Sequence, residues 1–357
     1  MMKIIHLLNT STYSGAENVA CQIITHVNKD VFDMVYCSPS GDINKKLEDF
    51  QIKYHAIKSL SKKELKKLIE TEKPDIIHAH DFKTSFYASL FYKKYPFVSH
   101  IHCNPLWLKA KSLYSFIFRF IAKRASVVLG VSNSIIEDYV FASKITKKFI
   151  NISNPFSSKT IVEKSEAVLI KEHYDLVYCG RLSNEKNPLK FIEIVENIKE
   201  RNSGIKALII GDGELMHQVQ ALIESKKLDN NVFTLGFVDN PFPYIKNCKI
   251  VCNTSDFEGF GLSVLEAMSL SKPAVCSNVG GLRDIVDDSN GCLCNGVEEY
   301  VREIEKLLND NSYYSKKARC AKEKADLLDN YDYYFQRIEK IYKTIKNNKN
   351  INWSEIL

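Results

Sequence analysis

The chain of 357 residues is long enough for two domains of ordinary size, each able to bury its own core, which excludes a small disulfide-stapled fold. Hydrophobic residues make up 45% of the chain and charged residues 26%, a composition of soluble globular domains and not of disordered or collagen-like proteins. The net charge of +6 is unevenly placed, because no acidic residue lies between Asp81 and Glu137 while eight Lys and Arg do.

Short β-branched segments alternate with helical patterns along the whole chain, which is typical of stacked βαβ units with parallel sheets. In the first half, the predicted strands lie at residues 3–8, 34–38, 53–57, 75–79, 97–101, 126–131 and 148–152. In the second half, they lie at residues 176–179, 206–210, 232–235, 249–253, 273–276 and 291–294. We therefore expect an α/β protein with two doubly wound, Rossmann-like sheets.

A polar stretch from Asn154 to Asp175 separates the two halves and contains Asn-Pro and Ser-Ser turn signals. We place an N-terminal domain at residues 1–160 and a C-terminal domain at residues 161–330. Residues 331–357 are predicted to form a C-terminal helix that packs back on the N-terminal domain.

The N-terminus, Met1 to Leu8, has the pattern of a short strand and lacks the apolar region and cleavage motif of a secretion signal. No apolar segment reaches the length of a membrane span. The ten cysteines show no repeated pair spacing, so they are interpreted as reduced thiols and no metal site is predicted. We expect a cytoplasmic protein.

In open α/β sheets, ligands bind where strands pass into loops and helix N-termini. Residues 253–268, NTSDFEGFGLSVLEAM, leave a predicted strand and enter a helix. Glu258 precedes a Gly-Phe-Gly turn, at which the backbone N–H groups and the positive end of the new helix suit a phosphate. Glu266 lies further along the helix, where its carboxylate can accept two hydrogen bonds from a diol such as a ribose.

Residues 178–188, YCGRLSNEKNP, leave another predicted strand in the same way. Gly180 allows a tight exit from the strand. Arg181 offers a forked donor and Lys186 a point charge, a pair that suits a diphosphate leaving group.

The segments GRLSNEKNP and EGFGLSVLEAM together resemble the donor site of the family 4 retaining glycosyltransferases. Further matches follow in the family's order over nearly the whole chain: Ser14 to Glu17, PDIIHAHDF ending at Phe82, His102 in VSHIHCN, LIIGDGEL around Gly211, LGFVDN around Gly236, and Val279 to Gly291. The resemblance implies the GT-B fold, in which two Rossmann-like domains face each other across a cleft.

The resemblance also implies roles for single residues. Arg181 and Lys186 hold the nucleotide diphosphate, and Glu266 binds the ribose. The donor sugar and distal phosphate are met by Glu258 and by the backbone amides of Gly259, Phe260, Gly261 and Leu262. Gly15 brings N–H groups to the phosphate from the opposite domain, and Gly211 is expected in the nucleotide site. The catalytic residues are then His102, Glu258, Lys186 and Arg181.

Three positions depart from common patterns. Ser14 stands where the family often has a second glycine in the first loop, and Asp284 stands where it commonly has a glutamate. A nicotinamide-binding fingerprint around Gly211 is incomplete, because its third glycine is Met216.

Four of the nine histidines lie on or just past two predicted strands. His78 and His80 share one face of their strand, and His80, nearer the strand's end, is the better candidate for the cleft, whereas His78 is interpreted as structural. His100 and His102 also share a parity, but His102 lies past the strand's end, where a loop can turn it toward the donor sugar or the acceptor.

The segment without acidic residues contains a predicted helix over residues 106–124. On this helix one side carries Lys111, Ser112, Ser115, Arg119 and Lys123, and the opposite side carries Leu113, Tyr114, Ile117 and Ile121. A cationic face with aromatic residues suits an anionic membrane surface, predicted at residues 105–124. The alternative is an ordinary sheet-packing helix with a solvated face. Nucleic-acid binding is not expected, because no recognised motif accompanies the charge.

We expect a retaining hexosyltransferase that uses a nucleotide-sugar donor, most simply a UDP-sugar, and no cofactor or metal. Its acceptor would be a lipid-linked or surface glycan at the cytoplasmic membrane face, in polysaccharide biosynthesis. Two alternatives stay open from the sequence: a nucleotide-sugar epimerase of the same fold and a non-catalytic partner subunit.

Overall fold

The computed structural model describes residues 1–347 and residue 353. The chain forms two compact units, of which the first comprises Met1–Pro155 together with the described residues that follow Asp329, and the second comprises Phe156–Asp329. The first division thus lies within the predicted polar stretch, after Pro155 and not after residue 160.

Hydrogen bonds explain both boundaries. The Ser158 amide donates to Asp329 Oδ2 (2.9 Å) and the Ser158 hydroxyl to Asp326 Oδ1 (2.6 Å), which ties the start of the second unit to its end. Beyond that point, the Asn330 side chain donates to Ser153 Oγ (3.0 Å) in the first unit.

The first unit is built on a seven-stranded sheet in the order β3-β2-β1-β4-β5-β6-β7, and every neighbouring pair is parallel. Its strands are β1 Met2–Leu7, β2 Phe32–Pro39, β3 Tyr54–Ile57, β4 Ile76–His80, β5 Phe97–Ile101, β6 Val127–Gly130 and β7 Phe149–Asn151. Its helices before the division are α1 Gly15–His26, α2 Ile43–Asp49, α3 Lys62–Glu72, α4 Asp81–Ser89, α5 Leu113–Arg124 and α6 Ser134–Glu137.

The second unit repeats the design with a six-stranded parallel sheet in the order β10-β9-β8-β11-β12-β13. Its strands are β8 Tyr174–Cys179, β9 Ala207–Ile210, β10 Val232–Thr234, β11 Cys248–Asn253, β12 Ala274–Ser277 and β13 Gly291–Cys294. Its helices are α7 Ser158–Ser165, α8 Pro188–Lys199, α9 Met216–Ser225, α10 Phe242–Lys246, α11 Leu262–Ser269, α12 Leu282–Ile285, α13 Val297–Asn309 and α14 Asn311–Leu327.

All thirteen predicted strands are present, which confirms the α/β fold class with two Rossmann-like sheets. Both units show the doubly wound strand order, with the topological switch between β1 and β4 in the first and between β8 and β11 in the second. Ligand-binding loops are expected at the carboxyl ends of these central strands.

The C-terminal helix α15, Tyr331–Asn347, belongs to the first unit. Its apolar stripe lies in the core of that unit, because Tyr334, Ile338, Ile341 and Tyr342 are each no more than 1% exposed. A helix from the end of the chain is thereby built into the N-terminal domain.

The predicted helix over residues 106–124 is wrong in its bounds and in its faces. Residues Leu106–Leu108 form a short 3-10 turn, and α5 begins only at Leu113, where the Ser112 side chain caps it. Its buried positions are Ser115, Phe118, Ile121 and Ala122. Leu113 is 73% exposed and Tyr114 is 55% exposed, so two residues assigned to the packed side face solvent instead.

The reason for this error lies in tertiary packing. The apolar side chains of α5 occur nearly all round the helix, so their spacing does not select one face. The neighbouring helix α4 selects it, together with Trp107 and Tyr139, whose rings pack against Phe118 in the buried stripe that contains Ser115. Phe116 and Phe120 remain exposed beside Arg119 and Lys123.

Candidate functional site

An ion pair joins the two loops that follow the central strands β8 and β11 of the second unit. Lys186 Nζ lies 2.7 Å from Glu258 Oε2. The strands are hydrogen-bonded neighbours, so their carboxyl ends deliver the two loops to one edge of the sheet. Two residues that are 72 positions apart in the sequence therefore form one charged centre.

The Glu258 carboxylate is buried and held by several donors. It is 9% exposed, and its Oε2 atom also accepts from Asn253 Nδ2 (3.4 Å) and Ser255 Oγ (3.3 Å). Burial of a carboxylate is tolerated where a cation and hydrogen-bond donors compensate it. This oxygen is consequently fixed in position before any ligand arrives.

The local backbone places Lys186 where it can reach Glu258. Lys186 ends a 3-10 turn, and Asn187 follows in the left-handed region with φ 45°. The Asn187 side chain accepts from Lys190 N and so caps α8. The buried Tyr178 hydroxyl donates to the carbonyl groups of Arg181 (3.0 Å) and Lys186 (3.3 Å), which holds the loop against its strand.

Glycines allow backbone segments to meet behind this centre. Gly280 has φ +49°, and a Cβ atom on it would lie 1.8 Å from the carbonyl oxygen of Glu258. Gly211 has φ +142°, and a Cβ atom on it would lie 1.9 Å from the carbonyl oxygen of Gly180. No side chain fits at either position, so Gly211 supports the loop that carries Arg181 and Lys186.

The turn after Glu258 leads into α11. Gly259 and Phe260 are buried, and Gly261 adopts φ +93° immediately before the helix begins at Leu262. A Cβ atom on Gly261 would lie 2.7 Å from Leu282 Cδ2, so close packing as well as the positive φ favours glycine at this position. The first amides of α11 have no partner within the helix, as at every helix N-terminus.

Arg181 is exposed, whereas Lys186, the other cation predicted for the diphosphate, is half-buried. Its backbone carbonyl is held by Tyr178, but its side chain lies at the surface of the loop. A long cationic side chain in that position is free to turn toward an anion.

Glu266 lies one turn into α11, is half-buried, and carries a strongly perturbed carboxyl group. Burial raises its pKa from 4.5 to about 7, and the charge of Lys164 opposes that rise. Burial, and after it the charge of Glu266, raises the pKa of the Cys179 thiol at the end of β8.

The pKa of Glu266 predicts a pH-dependent stability difference. A folded-state pKa above the unfolded value stabilises the fold at low pH, and this contribution is lost as pH rises from about 4.5 through about 7. We expect Glu266→Gln to match the wild type at pH 5 and to exceed it by about 1 kcal/mol at pH 8, after allowing for solvent screening of a half-buried group. Thermal unfolding of both proteins across this range measures the difference, and a constant difference would contradict the assignment.

In the first unit, Gly15 is the first residue of α1 and follows the end of β1. A Cβ atom on Gly15 would have no atom within 4 Å, so the space beside its backbone is open. Ser14 Oγ donates to the buried Glu17 carboxylate, to which Thr10 also donates, so this serine is part of a defined loop.

His102 follows β5 and is half-buried. Its backbone amide donates to Asp81 Oδ1 (3.0 Å), and its ring is hydrogen-bonded to His80 (2.9 Å). Burial lowers the pKa of His102 to about 4, while the charge of Glu17 opposes the change. The His102 imidazole is therefore neutral at physiological pH. Burial also raises the pKa of Asp81, whose carboxylate accepts from the His102 amide, to about 6.

The structure places His78, predicted to be structural, and His80, near the end of its strand, in a larger cluster than the sequence predicts. His6 of β1, His100 of β5 and Tyr342 of α15 join them in one buried cluster. The repeated His-x-His pattern on two adjacent predicted strands was the available signal, but it does not reveal Tyr342.

Among the described residues, two histidine triads bring ring nitrogens within 4.8 Å of one another: His6 with His78 and His80, and His80 with His100 and His102. Imidazole nitrogens are common metal ligands. Here, however, most of these nitrogens are hydrogen-bonded to one another or to Tyr342. The geometry is that of a hydrogen-bonded network.

Two family models match adjacent parts of the chain. The model described as Glycosyl transferases group 1 matches residues 161–326, and that described as Glycosyltransferase Family 4 matches residues 13–155. The first match covers the loops of Lys186 and Glu258, and the second covers Gly15 and His102.

Similar proteins and structures extend over much of the chain. An uncharacterized glycosyltransferase of Methanocaldococcus jannaschii is 27% identical over 59% of this chain and 57% of its own length. The GalNAc-alpha-(1->4)-GalNAc-alpha-(1->3)-diNAcBac-PP-undecaprenol alpha-1,4-N-acetyl-D-galactosaminyltransferase of Campylobacter jejuni is 25% identical over 91% of this chain and 94% of its own. HepE of Anabaena, crystallised with UDP and glucose, shares the fold with a TM-score of 0.81 at 20% identity, over 96% of this chain and 100% of that one.

Proposed function

Since this chain belongs to the family 4 glycosyltransferases of the GT-B type, we propose that it is a retaining hexosyltransferase that moves a sugar from a UDP-sugar to a lipid-linked or surface glycan. The Lys186–Glu258 ion pair carries the proposal, because it places a cation and a fixed carboxylate at one edge of a nucleotide-binding type of sheet. The ligands of HepE support a UDP-sugar donor, and the undecaprenol in the name of the Campylobacter relative supports a lipid-linked acceptor.

The proposed reaction is a front-side displacement at the anomeric carbon. The bond from that carbon to the diphosphate oxygen breaks while the acceptor hydroxyl forms a new bond on the same face. The acceptor's proton passes to the departing phosphate oxygen. Anomeric configuration is retained, and the products are UDP and the extended glycan.

The chain's own cations stabilise the charge that develops on the leaving diphosphate. Lys186 and Arg181 supply positive charge, and the amides from Gly259 to Leu262 supply hydrogen-bond donors. We propose that these groups, and not a metal ion, stabilise the charge on the diphosphate. Glu258 orients Lys186 and meets the donor sugar, and Glu266 accepts hydrogen bonds from the ribose.

His102 is proposed to contact a hydroxyl group of the donor sugar or to orient the acceptor. A neutral imidazole accepts one hydrogen bond and donates another, as a sugar hydroxyl does. Gly15, with open space beside its backbone, is proposed to approach a phosphate with its N–H group.

Incubation with a panel of UDP-, GDP- and ADP-sugars tests this function, with and without a lipid-linked oligosaccharide acceptor. We expect UDP release that depends on the acceptor, and a product with the donor's anomeric configuration by NMR. A sugar epimer formed without acceptor would identify an isomerase instead. A protein that binds and consumes none of the donors would be a non-catalytic subunit.

The exposed part of α5 and the turn before it are proposed to contact an anionic membrane surface. We define the α5 face as the exposed residues Leu106, Lys111, Leu113, Tyr114, Phe116, Arg119, Phe120 and Lys123. Apolar and cationic side chains are interleaved there, which suits the boundary between lipid headgroups and acyl chains. In the part of the chain that the structure describes, no helix has the length and apolarity of a membrane span.

Charge removal from the α5 face is expected to weaken vesicle binding. Each Lys or Arg near an anionic surface contributes about 1 kcal/mol, so replacement of Lys111, Arg119 and Lys123 by Gln should lower the partition coefficient by about 100-fold. Sedimentation with phosphatidylglycerol-containing vesicles at low salt measures it. The triple change Lys62, Lys63 and Lys66→Gln on α3 is the matched control, since it removes the same charge from another exposed helix. Equal binding by both triple variants would contradict the proposal.

A further inference from the structure

Five histidines line one face of the first unit's sheet at the carboxyl ends of three adjacent strands. His6 lies on β1, His78 and His80 on β4, and His100 on β5, with His102 just beyond it. His6 pairs in register with His78, and His80 pairs with His100. The side chains thus meet because the strands are neighbours and the residues share a parity.

These histidines and Tyr342 are linked end to end, and we call the six residues the histidine chain. Its links are His102 Nε2 to His80 Nδ1 (2.9 Å), His80 Nε2 to His6 Nδ1 (3.0 Å), His6 Nε2 to Tyr342 Oη (3.5 Å), Tyr342 Oη to His78 Nδ1 (2.6 Å), and His78 Nε2 to His100 Nδ1 (3.1 Å). Each interior ring uses both nitrogens. Only the two ends, His102 Nδ1 and His100 Nε2, have no hydrogen-bond partner among the described residues.

The ring geometry fits hydrogen bonds that lie in the ring planes. The centroids of the linked pairs are separated by 5.1 Å for His80 with His102, 5.3 Å for His6 with His80, and 5.2 Å for His78 with His100. The corresponding planes are inclined by 14°, 30° and 26°. Such rings meet edge to edge through their nitrogens, whereas His78 and His80 stack face to face at 4.4 Å.

The buried rings are neutral, so each has one N–H group and one lone pair. Burial lowers the pKa of His6 to about 3 and holds the pKa values of His78, His80 and His100 well below their usual range. Each link needs one donor and one acceptor. The tautomer of one ring therefore fixes the tautomer of the next.

Tyr342 decides the direction, because its hydroxyl has a single proton. The distance of 2.6 Å to His78 Nδ1 is that of a phenol O–H donating to a ring nitrogen, and the contact of 3.5 Å to His6 is the weaker one. With that proton used, the phenol oxygen is left to accept from His6 Nε2–H. His6 Nδ1 then has a lone pair and accepts from His80 Nε2–H. His80 Nδ1 in turn accepts from His102 Nε2–H, so His102 carries its proton on Nε2.

We propose that the Tyr342 hydroxyl, acting through the histidine chain, sets the Nε2–H tautomer of His102 and leaves its Nδ1 lone pair to accept a hydrogen bond from a hydroxyl group of the donor sugar. Tyr342 is a positioning residue on α15. The sugar contact rests on the proposed function, but the tautomer is a property of the free protein. A buried acceptor without a partner costs free energy, which a bound hydroxyl recovers.

Nitrogen-15 NMR of histidine-labelled protein tests the tautomer directly. His102 is assigned by loss of its signals in His102→Gln. We expect a pyridine-type shift for His102 Nδ1 and a pyrrole-type shift for Nε2 in the wild type, with the Nδ1 signal displaced when UDP-glucose or the donor found with the sugar panel is added. A pyrrole-type Nδ1 would overturn the proposal without any variant. A tautomer as expected with no displacement by donor would overturn the sugar contact.

Tyr342→Phe keeps the ring and removes the link between His6 and His78. We expect His102 to show both tautomers in comparable amounts in this variant and kcat to fall about twofold, with a smaller change in donor KM, because about half of the molecules then present the wrong ring nitrogen. Tyr334→Phe is the matched control, since Tyr334 lies on the same helix, is 1% exposed, and has a hydroxyl without a partner among the described residues.

The outcomes distinguish a failure of the proposed role of Tyr342 from a failure of the proposed function. The role of Tyr342 would be overturned if the nitrogen-15 chemical shifts of His102 in Tyr342→Phe were those of the wild type. It would also be overturned if Tyr342→Phe and Tyr334→Phe changed these shifts and kcat equally. If the tautomer responds as expected but no nucleotide sugar is consumed, the proposed function fails and the control of the tautomer by Tyr342 stands.

Discussion

Lys186→Ala is expected to lower kcat by about 10²-fold or more while the fold stays intact. Its ammonium group is proposed to stabilise the charge that appears on the leaving diphosphate, and removal of one preorganised contact of this kind typically costs that much. The side chain of Lys186 is 29% exposed, so its truncation should lower the free energy of unfolding by no more than about 2 kcal/mol. Initial rates with saturating acceptor and thermal unfolding measure the two effects.

Lys199→Ala is the control for this change. Lys199 ends α8, is half-buried like Lys186, and donates to the carbonyl of Lys227, so its loss removes a cation from the same unit without touching the Glu258 loop. It should keep kcat within about twofold of the wild type. Wild-type turnover in Lys186→Ala would remove Lys186 from the site.

Glu258→Gln is expected to lower kcat by a similar factor of about 10². The amide keeps the shape of the side chain but loses the charge that fixes Lys186, and it places an N–H donor or a weaker acceptor against Ser255 and Asn253. Donor affinity should fall as well, since the same carboxylate is proposed to meet the sugar. Steady-state kinetics and donor titration by calorimetry separate the two losses.

Asp256→Asn is the matched carboxylate control. Asp256 lies two residues away in the same loop, is exposed, and accepts from the Asn187 side chain at 3.2 Å. Its replacement should change kcat by less than about threefold. An equal loss in Asp256→Asn and Glu258→Gln would show that the loop as a whole, and not the buried carboxylate, sets the rate.

The Lys186 and Glu258 effects should not add. The two groups touch at 2.7 Å, so removal of either one disturbs the other, and the double variant is expected to lose about as much as one single variant. Fully additive losses would indicate two independent contacts with the substrate.

Strand positions were predictable because strands buried on both faces need short, continuous β-branched segments between polar loops. The pattern IIH of β4 and the pattern KIVCN of β11 are examples, and both lie where they were expected. The glycine pair between Glu258 and Glu266 similarly marked a loop-to-helix junction, since Gly261 needs its positive φ.

The helix over residues 106–124 was not predictable in the same way. Its apolar side chains are spread around the helix, and only tertiary packing decides that Ser115 is buried while Leu113 and Tyr114 are exposed. The domain boundary after Pro155 likewise depends on hydrogen bonds between distant residues, such as Ser158 with Asp329.

By itself, the sequence determined the fold class, the thirteen strands and the loops in which candidate residues lie, because local periodicity and glycine positions encode these features over short distances. Only the tertiary structure decided which side chains meet. Lys186 contacts Glu258 across 72 positions, and Tyr342 contacts His78 across 264, because adjacent strands and a returning helix bring them together. The protonation states of Glu266 and of the histidine chain follow from burial, which is set by the packing of all surrounding elements and not by any local pattern.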